Sequence, residues 1–591
     1  MKRIFRYILL MVAAAPFTAC DDFFNTNPDT LINVDEYISS ENEMYRGFLG
    51  IITRMQNAGD HAIFLTDPRC NFLETAPNAP VALQDIYNYE PTDGNEYADP
   101  TCYYEIIVAC NDFISKMETY MQKVGAGMSE VGADNYPRLV SSALRVKVWA
   151  YYTLGRIYGQ AYWFDDPLEE RKELDDASVF THLTDMKAIA DKCVALLDEG
   201  ITLNGVHYPA DLEMEWPAWI DPESQSADYE HWDYLTPPWW LLRAELLAWR
   251  CSYEDNPADW QWIRDYILDY FALVYENTVN MLPHMSGQFD DDNAGNARNF
   301  YACNIPNQHS YYRNFFSEQV GSSYMLICGL MYDYDNHQRN RLVQYFCPAW
   351  PGDGFYLQPS QYGIGQYIDT DIRSYTQLQT MYTINGSVAF TKYYYSREGG
   401  RNPRYLRSNI FEIQPTIPLF RGHDIQFLIA EAENHLGHWH VTKTLLNNGL
   451  ENEFPDRGTK PLPDSLGWDS RYVHWFGTGG GYGNVGIVGM SLGKEHDLPV
   501  LDENGQFVDS EGNIYTEEER MKAYDLALAD EYLLEFTGEG KAYSYLCKMA
   551  ERYHDPNIVA DRVAPKYPDG GAKARASISQ NIFIDWNLAG E

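Results

Sequence analysis

The chain has 591 residues, of which 45% are hydrophobic and 22% are charged, and these proportions are those of a globular protein rather than a disordered one. Its formal net charge of −41 repels phosphate backbones and anionic lipid, so nucleic acid is excluded as an expected partner and polyanionic ligands are disfavoured. Aromatic residues make up 15% of the chain. Some rings are therefore expected on a surface that stacks on flat ligands, although packing between helices is the alternative for any single ring.

The N-terminal residues have the pattern of an export signal. A basic start precedes a short apolar run at residues 7–15, which is too short to span about 30 Å of hydrocarbon as a helix. Thr18 and Ala19 stand directly before Cys20, and this arrangement resembles a bacterial lipobox. Residues 1–19 are therefore predicted to be a lipoprotein signal peptide with Cys20 as the lipidated N-terminus. Cleavage that leaves a free Cys20 is the alternative.

A polar tether is predicted at residues 20–35, followed by one domain over residues 36–591. Within that domain, apolar residues at spacings of three and four predict amphipathic helices. The predicted helices cover about 36–56, 103–114, 139–159, 184–199, 240–251, 263–274, 424–437, 441–450 and 526–536. Small residues such as Ala150 and Ala244 beside bulky neighbours resemble tetratricopeptide packing, although the regular period of about 34 residues is missing.

Long segments without helical periodicity interrupt these helices. Residues 59–100 are predicted to be irregular, and so is most of a loop-rich part at about 277–416, which separates an N-terminal part (about 36–276) from a C-terminal part (about 417–591). A Gly-, Pro- and Asp-rich insertion follows at residues 451–513. Irregular segments of this length are uncommon unless they build a functional surface.

Candidate metal ligands are few. One set lies near the end of a predicted helix and consists of Glu431, His435, His438 and His440. These side chains could hold zinc. The alternative is that the helix dipole favours cationic side chains at this end. Residues 290–295 and 502–505 offer oxygen atoms for calcium, but neither has the acidic bidentate ligand at the spacing of an EF-hand. No metal or cofactor is therefore predicted, and structural calcium stays an open alternative.

Motifs for catalysis are also missing from the sequence. No H-E-x-x-H, G-x-S-x-G or C-x-x-C pattern occurs, so nothing indicates a metalloprotease, an α/β-hydrolase or a redox site. Residues 481–486 fit G-x-G-x-x-G, but no helix start is predicted after them to receive a pyrophosphate. The ten cysteines show no paired spacing and are predicted to be mostly buried free thiols. The chain is predicted not to be an enzyme.

The most specific pattern lies at residues 417–437. A short extended run leads into an amphipathic helix with Asp424 as the predicted N-cap and Gly437 as its stop. This segment resembles the signature of the SusD/RagB family, the lipid-anchored nutrient-binding proteins of the Bacteroidetes outer membrane. The matching residues are Arg421, Asp424, Ala430, Glu431, Ala432, Asn434 and Gly437.

Four other elements resemble the same family in the same order along the chain. They are the opening at 20–24, the helix at 103–114, the helix end at 145–159 and the run at 529–541. In the last of these, Tyr532 and Lys541 stand where the family has arginine, so the family's internal salt bridges are not carried over to these positions. The resemblance implies a mainly α-helical, SusD-like scaffold of tetratricopeptide-like helix pairs with long irregular loop insertions.

The resemblance also implies a function. A protein of this kind is held by lipid on the extracellular side of the outer membrane, captures an oligosaccharide and delivers it to a SusC-like TonB-dependent channel. The negative charge favours a neutral glycan, and neither nucleic acid nor a cofactor is expected. A RagB-like lid that binds oligopeptides is the alternative within the same fold. A glycan-trimming enzyme and a purely structural surface protein are the alternatives from other classes.

The resemblance places the ligand site on two irregular segments. In relatives this site is built from the loop before the second helix and from irregular segments of the later half. For each projected residue the alternative is a packed ring or a hydrogen bond that stabilises a loop. The projected ligand-binding residues are Asp67, Arg69, Asn71, Tyr87, Tyr89, Tyr301, Asn304 and Tyr395.

Overall fold

The computed structural model describes residues 38–90, 94–165, 183–217, 234–277, 287–288, 316, 326–334, 337–371, 373–374, 380–384, 386–394, 413–454, 466–476 and 482–585. Over these residues the fold is mainly α-helical, which confirms the predicted fold class. Five predictions lie outside the described residues: the leader and tether with Cys20, the calcium candidate at 290–295, and the ligand residues Tyr301, Asn304 and Tyr395.

Helices form the body of the protein. In chain order they are α1 (Glu41–Ala58), α2 (His61–Thr66), α3 (Val81–Tyr87), α4 (Thr101–Val124), α5 (Glu130–Tyr158), α6 (Met186–Glu199), α7 (Trp239–Arg250), α8 (Pro257–Asn277), α9 (Leu342–Phe346), α10 (Gln361–Ile364), α11 (Gly422–His435), α12 (Trp439–Leu446), α13 (Gly449–Glu453), α14 (Ile487–Ser491), α15 (Glu517–Glu535), α16 (Ala542–Tyr553), α17 (Asn557–Val563) and α18 (Ala572–Gln580). No helix in the described part of the chain has an apolar stretch long enough to cross a bilayer.

The long helices pack in sequence, each against the next. Helix α4 packs on α5, α5 on α6, α6 on α7 and α7 on α8; the series then continues through contacts of α8 with α11 and of α11 with α12 and α15. Gly159 ends α5 in a left-handed conformation with φ of 72°. A Cβ atom there would also lie 2.5 Å from the Phe583 ring, so glycine serves both the turn and the packing.

Strands are short, and some of them join distant parts of the chain. They are β1 (Leu73–Thr75), β2 (Gln160–Ala161), β3 (Thr184–Asp185), β4 (Ile201–Leu203), β5 (Val206–Tyr208), β6 (Gly287–Gln288), β7 (Leu326–Met331), β8 (Leu357–Pro359), β9 (Met381–Ile384), β10 (Ser387–Phe390), β11 (Thr416–Arg421), β12 (Tyr482–Gly483), β13 (Val500–Leu501), β14 (Phe507–Val508) and β15 (Ile514–Tyr515). The pairs are antiparallel: β1 with β8, β2 with β3, β4 with β5, β6 with β12, β7 with β11, β9 with β10, and β14 with both β13 and β15. The apolar core is continuous from Ile38 to Ile584.

Two sequence predictions are corrected by these elements. Residues 59–100 are not wholly irregular, because α2, β1 and α3 lie within them. Asp424 is not the N-cap of α11: strand β11 runs directly into the helix, so Arg421 takes the N-cap position. Asp424 instead occupies the third helical position, where its carboxylate accepts a hydrogen bond from the Arg421 backbone N–H at 2.8 Å. The Asp424 side chain therefore satisfies the backbone N–H of the N-cap residue, three positions before the predicted cap.

A buried ion cluster joins β11 and α11 to α15 and α16. The Arg421 guanidinium donates to Glu535 at 2.8 Å and to Glu539 at 2.9 and 3.0 Å. Lys541 donates to both Asp424 carboxylate oxygens at 2.9 Å, so a lysine at this position still makes an internal salt bridge. Tyr532 stacks on the Tyr545 ring, with centroids 4.0 Å apart. We call Arg421, Asp424, Glu535, Glu539 and Lys541 the signature ion cluster.

Candidate functional site

The β1–β8 ladder brings the two predicted irregular segments together. Glu74 pairs with Gln358 across the ladder, flanked by the pairs of Leu73 with Pro359 and of Thr75 with Leu357. Leu73 and Leu357 are fully buried, whereas Glu74 and Gln358 are half-buried, as expected for side chains that alternate between the two faces of a strand. The Gln358 amide donates to the Glu74 carboxylate at 2.8 Å. Two planar polar groups are thus held side by side at the surface.

Two tyrosine rings lie beside this polar pair. Tyr87 ends α3, and Tyr567 follows a 3-10 turn (Ala564–Lys566); both are half-buried, and their ring centroids are 5.0 Å apart at an angle of 44°. The Tyr567 hydroxyl donates to the Tyr87 carbonyl at 2.5 Å. Burial raises the pKa of the Tyr87 hydroxyl to about 12, and the charge of nearby Glu74 adds to the shift. We call Glu74, Tyr87, Gln358 and Tyr567 the Tyr87 surface.

A second pair of rings lies on the connection that leads into β8. Trp350 and Phe355 are half-buried, and the backbone at Phe355 has a φ of 55°. The connection is tied to the segment after β1, because the Asn78 amide donates to the Gly354 carbonyl at 2.9 Å and the Ala76 N–H donates to the Tyr356 carbonyl at 2.8 Å. Aromatic side chains therefore occur on both segments that the β1–β8 ladder joins.

Three of the projected ligand residues are almost fully buried. Asp67, Arg69 and Asn71 expose only 3, 4 and 5% of their surface. The Asp67 carboxylate accepts hydrogen bonds from the backbone N–H groups of Gly538 and Gly540, both at 2.7 Å. Burial raises the pKa of Asp67 to about 7, against the effect of these two bonds and of a nearby lysine. In this structure Asp67 therefore caps the turn that carries part of the signature ion cluster.

Arg69 and Tyr89 pack on each other beneath the surface. The guanidinium carbon lies 3.9 Å from the Tyr89 ring centroid, and the Tyr89 hydroxyl donates to the Arg69 carbonyl at 2.7 Å. The Asn71 carbonyl accepts a bond from the Ser360 hydroxyl at 3.1 Å. Of the projected residues that the structure describes, only Tyr87 reaches the surface appreciably. Ligand contact by Asp67, Arg69, Asn71, Tyr87 and Tyr89 stays a prediction.

Sequence reasoning missed three members of the Tyr87 surface. Glu74 and Gln358 lie on strands of three residues, too short to show alternation clearly. Tyr567 lies in a C-terminal segment that contains no long irregular run, so nothing in its neighbourhood indicated a site. The available signal was the Phe72–Leu73–Glu74–Thr75 sequence, in which a single charged residue interrupts an apolar run.

The three histidines near the end of α11 bond to separate carboxylates. His435 contacts Asp525 at 2.9 Å and stacks on the Trp260 ring. The partner of His438 is Glu433, and the partner of His440 is Glu453. Within the described part of the chain, no group of three or more His, Cys, Asp or Glu residues is arranged to hold a metal ion.

Comparison with known proteins identifies solved structures that have a similar fold. In sequence, the chain matches no family model and no curated protein. In structure, it is similar to a SusD superfamily protein from Bacteroides vulgatus (TM-score 0.51, 9% identity, 91% of this chain and 92% of that one). It is also similar to surface glycan-binding protein A from Bacteroides thetaiotaomicron in complex with laminarihexaose (0.50, 13%, 93% and 100%). A third similar structure is Bacteroides fragilis NanU (0.50, 13%, 90% and 94%). The chain therefore has a SusD-like fold, which confirms the fold that the signature implied.

Proposed function

We propose that the protein captures an oligosaccharide at the cell surface and delivers it to a SusC-like TonB-dependent channel, while lipid on Cys20 anchors it to the outer membrane. The observation that carries this proposal is the Tyr87 surface, on a fold shared with a glycan-binding protein over 93% of the chain. Nothing in the proposal requires chemistry on the ligand, so the protein acts as a binding protein and not as an enzyme.

The Tyr87 surface has the groups that sugar recognition needs. Tyrosine rings offer flat apolar faces to the C–H faces of a pyranose. The carboxylate of Glu74 and the amide of Gln358 are planar, and each can bond two neighbouring sugar hydroxyls. Their mutual bond of 2.8 Å fixes both groups before the ligand arrives, which reduces the ordering cost of binding.

Charge selects among glycans. The chain carries a formal charge of −41, and Glu74 places one carboxylate directly at the Tyr87 surface. An anionic polymer would approach against this field. The proposed ligand is therefore a neutral glycan.

Isothermal titration of the full mature chain tests the proposal. The panel contains neutral oligosaccharides, laminarihexaose among them, one uronic-acid oligomer and a defined peptide digest. Heat from one neutral glycan and none from the uronic-acid oligomer is the expected result. Binding of peptides alone would instead establish the oligopeptide-binding alternative, and cleavage of a glycan by highly purified protein would establish an enzyme.

Anchoring and delivery need separate measurements. Palmitate labelling of the precursor in cells should depend on Cys20 and disappear in Cys20→Ser. Affinity purification from solubilised outer membranes should recover a TonB-dependent channel with the anchored protein. A precursor that takes up no lipid would remove the anchor from the proposal.

A further inference from the structure

Lys566 lies directly beneath the Tyr87 surface and is 8% exposed. Its ammonium group donates to three backbone carbonyls of the 67–75 segment: those of Pro68, Cys70 and, at 3.0 Å, Leu73. None of these acceptors is a carboxylate. The side chain therefore holds a loop through its backbone, and it forms no ion pair with any residue that the structure describes.

The same nitrogen contacts both rings of the Tyr87 surface. It lies 4.7 Å from the Tyr87 ring centroid and 5.0 Å from that of Tyr567, within the range of a cation–π interaction. The Leu73 carbonyl belongs to the peptide group that leads into Glu74. Lys566 thus contacts both the backbone that carries Glu74 and the two tyrosine rings.

The three carbonyls match the protonated form of this side chain. An ammonium group has three N–H donors, one for each carbonyl, whereas a neutral amine has two. The neutral amine would leave one carbonyl without its donor and would lose the cation–π attraction to both rings. Burial opposes the charged form and lowers the pKa of Lys566 to about 7.

We propose that Lys566 is a positioning residue for the Tyr87 surface: its protonated ammonium fixes the 67–75 segment and thereby the placement of Glu74 relative to the tyrosine rings. Loss of this side chain loosens the segment and weakens ligand binding. The link to ligand rests on the proposed function, whereas the fixing of the segment does not.

Several other ionisable groups face Lys566. Cys70, Glu74 and Asp67 favour its charge, and Arg69 opposes it, while the hydroxyls of Tyr87 and Tyr567 are carried by the adjoining rings. Of these, Asp67 has a pKa of about 7 and titrates in the same range as Lys566. The variants are therefore compared at a single pH of 6.0, below both values.

Hydrogen–deuterium exchange of the ligand-free protein tests the fixing of the segment. Protection factors of peptides covering 67–75 are measured at pH 6.0 in wild type, Lys566→Met and Lys566→Arg. Lys548→Met is the matched control, because Lys548 is also buried but bonds to Glu431 on α11. Peptides of α5 report whether each variant is globally folded.

The expected result is specific to this segment. Protection of 67–75 in Lys566→Met should lie at least about five-fold below that of wild type, the equivalent of one net hydrogen bond. Lys566→Arg should keep the wild-type value, because arginine stays charged and keeps its N–H donors. Equal protection of 67–75 in wild type and Lys566→Met would overturn the proposal.

Titration with the tightest-binding glycan of the panel tests the consequence. Affinity at pH 6.0 should be weaker in Lys566→Met than in wild type, and Lys566→Arg should keep the wild-type affinity. Equal affinity of wild type and Lys566→Met would overturn the link between the segment and the ligand. If no glycan binds to wild type, the proposed function fails, and the exchange data still decide whether Lys566 fixes the segment.

Discussion

The signature ion cluster and the Tyr87 surface differ in what their charged residues do. In the cluster, the exposed fractions of Arg421, Glu535 and Glu539 are 0, 1 and 3%. The arginine donates hydrogen bonds to both glutamates. At the Tyr87 surface, Glu74 and Gln358 are half-buried and their hydrogen-bonding capacity is only partly used within the protein. The residues that make the sequence recognisable therefore hold the fold, and residues without a motif form the candidate site.

Asp67 connects the two regions. It lies in the segment that leads to β1, yet its carboxylate binds the amides on either side of Glu539. We expect substitutions in the signature ion cluster to change the free energy of unfolding, and substitutions at the Tyr87 surface to change the affinity for ligand.

The largest expected effect is that of Glu539→Ala. It removes a carboxylate that pairs with both Arg421 and Lys392, and it leaves two buried cations short of an acceptor. Breaking a buried ion pair in this way costs about 3–5 kcal/mol, measured as the free energy of unfolding in urea. Glu517→Ala is the control, since Glu517 also pairs with an arginine but its side chain is 57% exposed. A loss below about 1 kcal/mol for Glu539→Ala would contradict a structural role for the cluster.

The next effect is the pH dependence contributed by Asp67. Its folded-state pKa of about 7 lies above the ordinary value of 3.8 because of burial, so the folded state holds the proton more tightly between these pH values. The stabilising contribution is complete below pH 3.8 and is lost as pH rises through 7, by at most about 4 kcal/mol. Unfolding free energies of wild type and Asp67→Asn from pH 4 to 8 check this. Wild type should lose stability relative to the variant as pH rises, and a constant difference would contradict the expectation.

A smaller effect is expected at the surface itself. Tyr87→Ala removes one ring of the pair at 5.0 Å and should weaken glycan binding by about 1–2 kcal/mol, or roughly 5- to 30-fold. Titration calorimetry measures the change. Tyr266→Ala on α8 is the control, because Tyr266 is also a half-buried ring in contact with other rings. Unchanged affinity for Tyr87→Ala would remove this residue from the site.

The smallest effect is expected for an exposed ion pair that belongs neither to the signature ion cluster nor to the Tyr87 surface. Arg575 pairs with Asp561 at 2.5 Å, but the two side chains are 42 and 62% exposed. Arg575→Ala should cost less than about 1 kcal/mol, and less still at high salt. If Arg575→Ala lowered the free energy of unfolding as much as Glu539→Ala, burial would not distinguish the ion pairs that stabilise this protein from those that do not.

Sequence could predict the scaffold because its signal is repeated along the chain. Apolar spacing along α4, α5 and α11 recurs over many turns, so the helical body followed from the pattern. Its SusD-like arrangement of helix pairs was implied by the family resemblance. Cap positions are decided by a single residue and were less secure: the start of α11 moved from Asp424 to Arg421 because β11 continues without a break into the helix.

The candidate site could be predicted only in part. The segment 59–100 and the loop-rich part were both expected to contribute, and β1 and β8 do bring them together. Which side chains face outward could not be read from residue type, because Asp67 and Arg69 are polar and yet buried by contacts with residues more than 400 positions away. Tyr567 reaches the site only through such a long-range contact, and no local pattern indicates one.

A crystal structure of the protein with the neutral glycan that gives the largest heat tests the central claim most directly. The account predicts a sugar ring against Tyr87 or Tyr567, with hydroxyls bonded to Glu74 or Gln358 and the signature ion cluster unchanged from the ligand-free protein. A glycan bound elsewhere, with no contact to any of these four side chains, would contradict it.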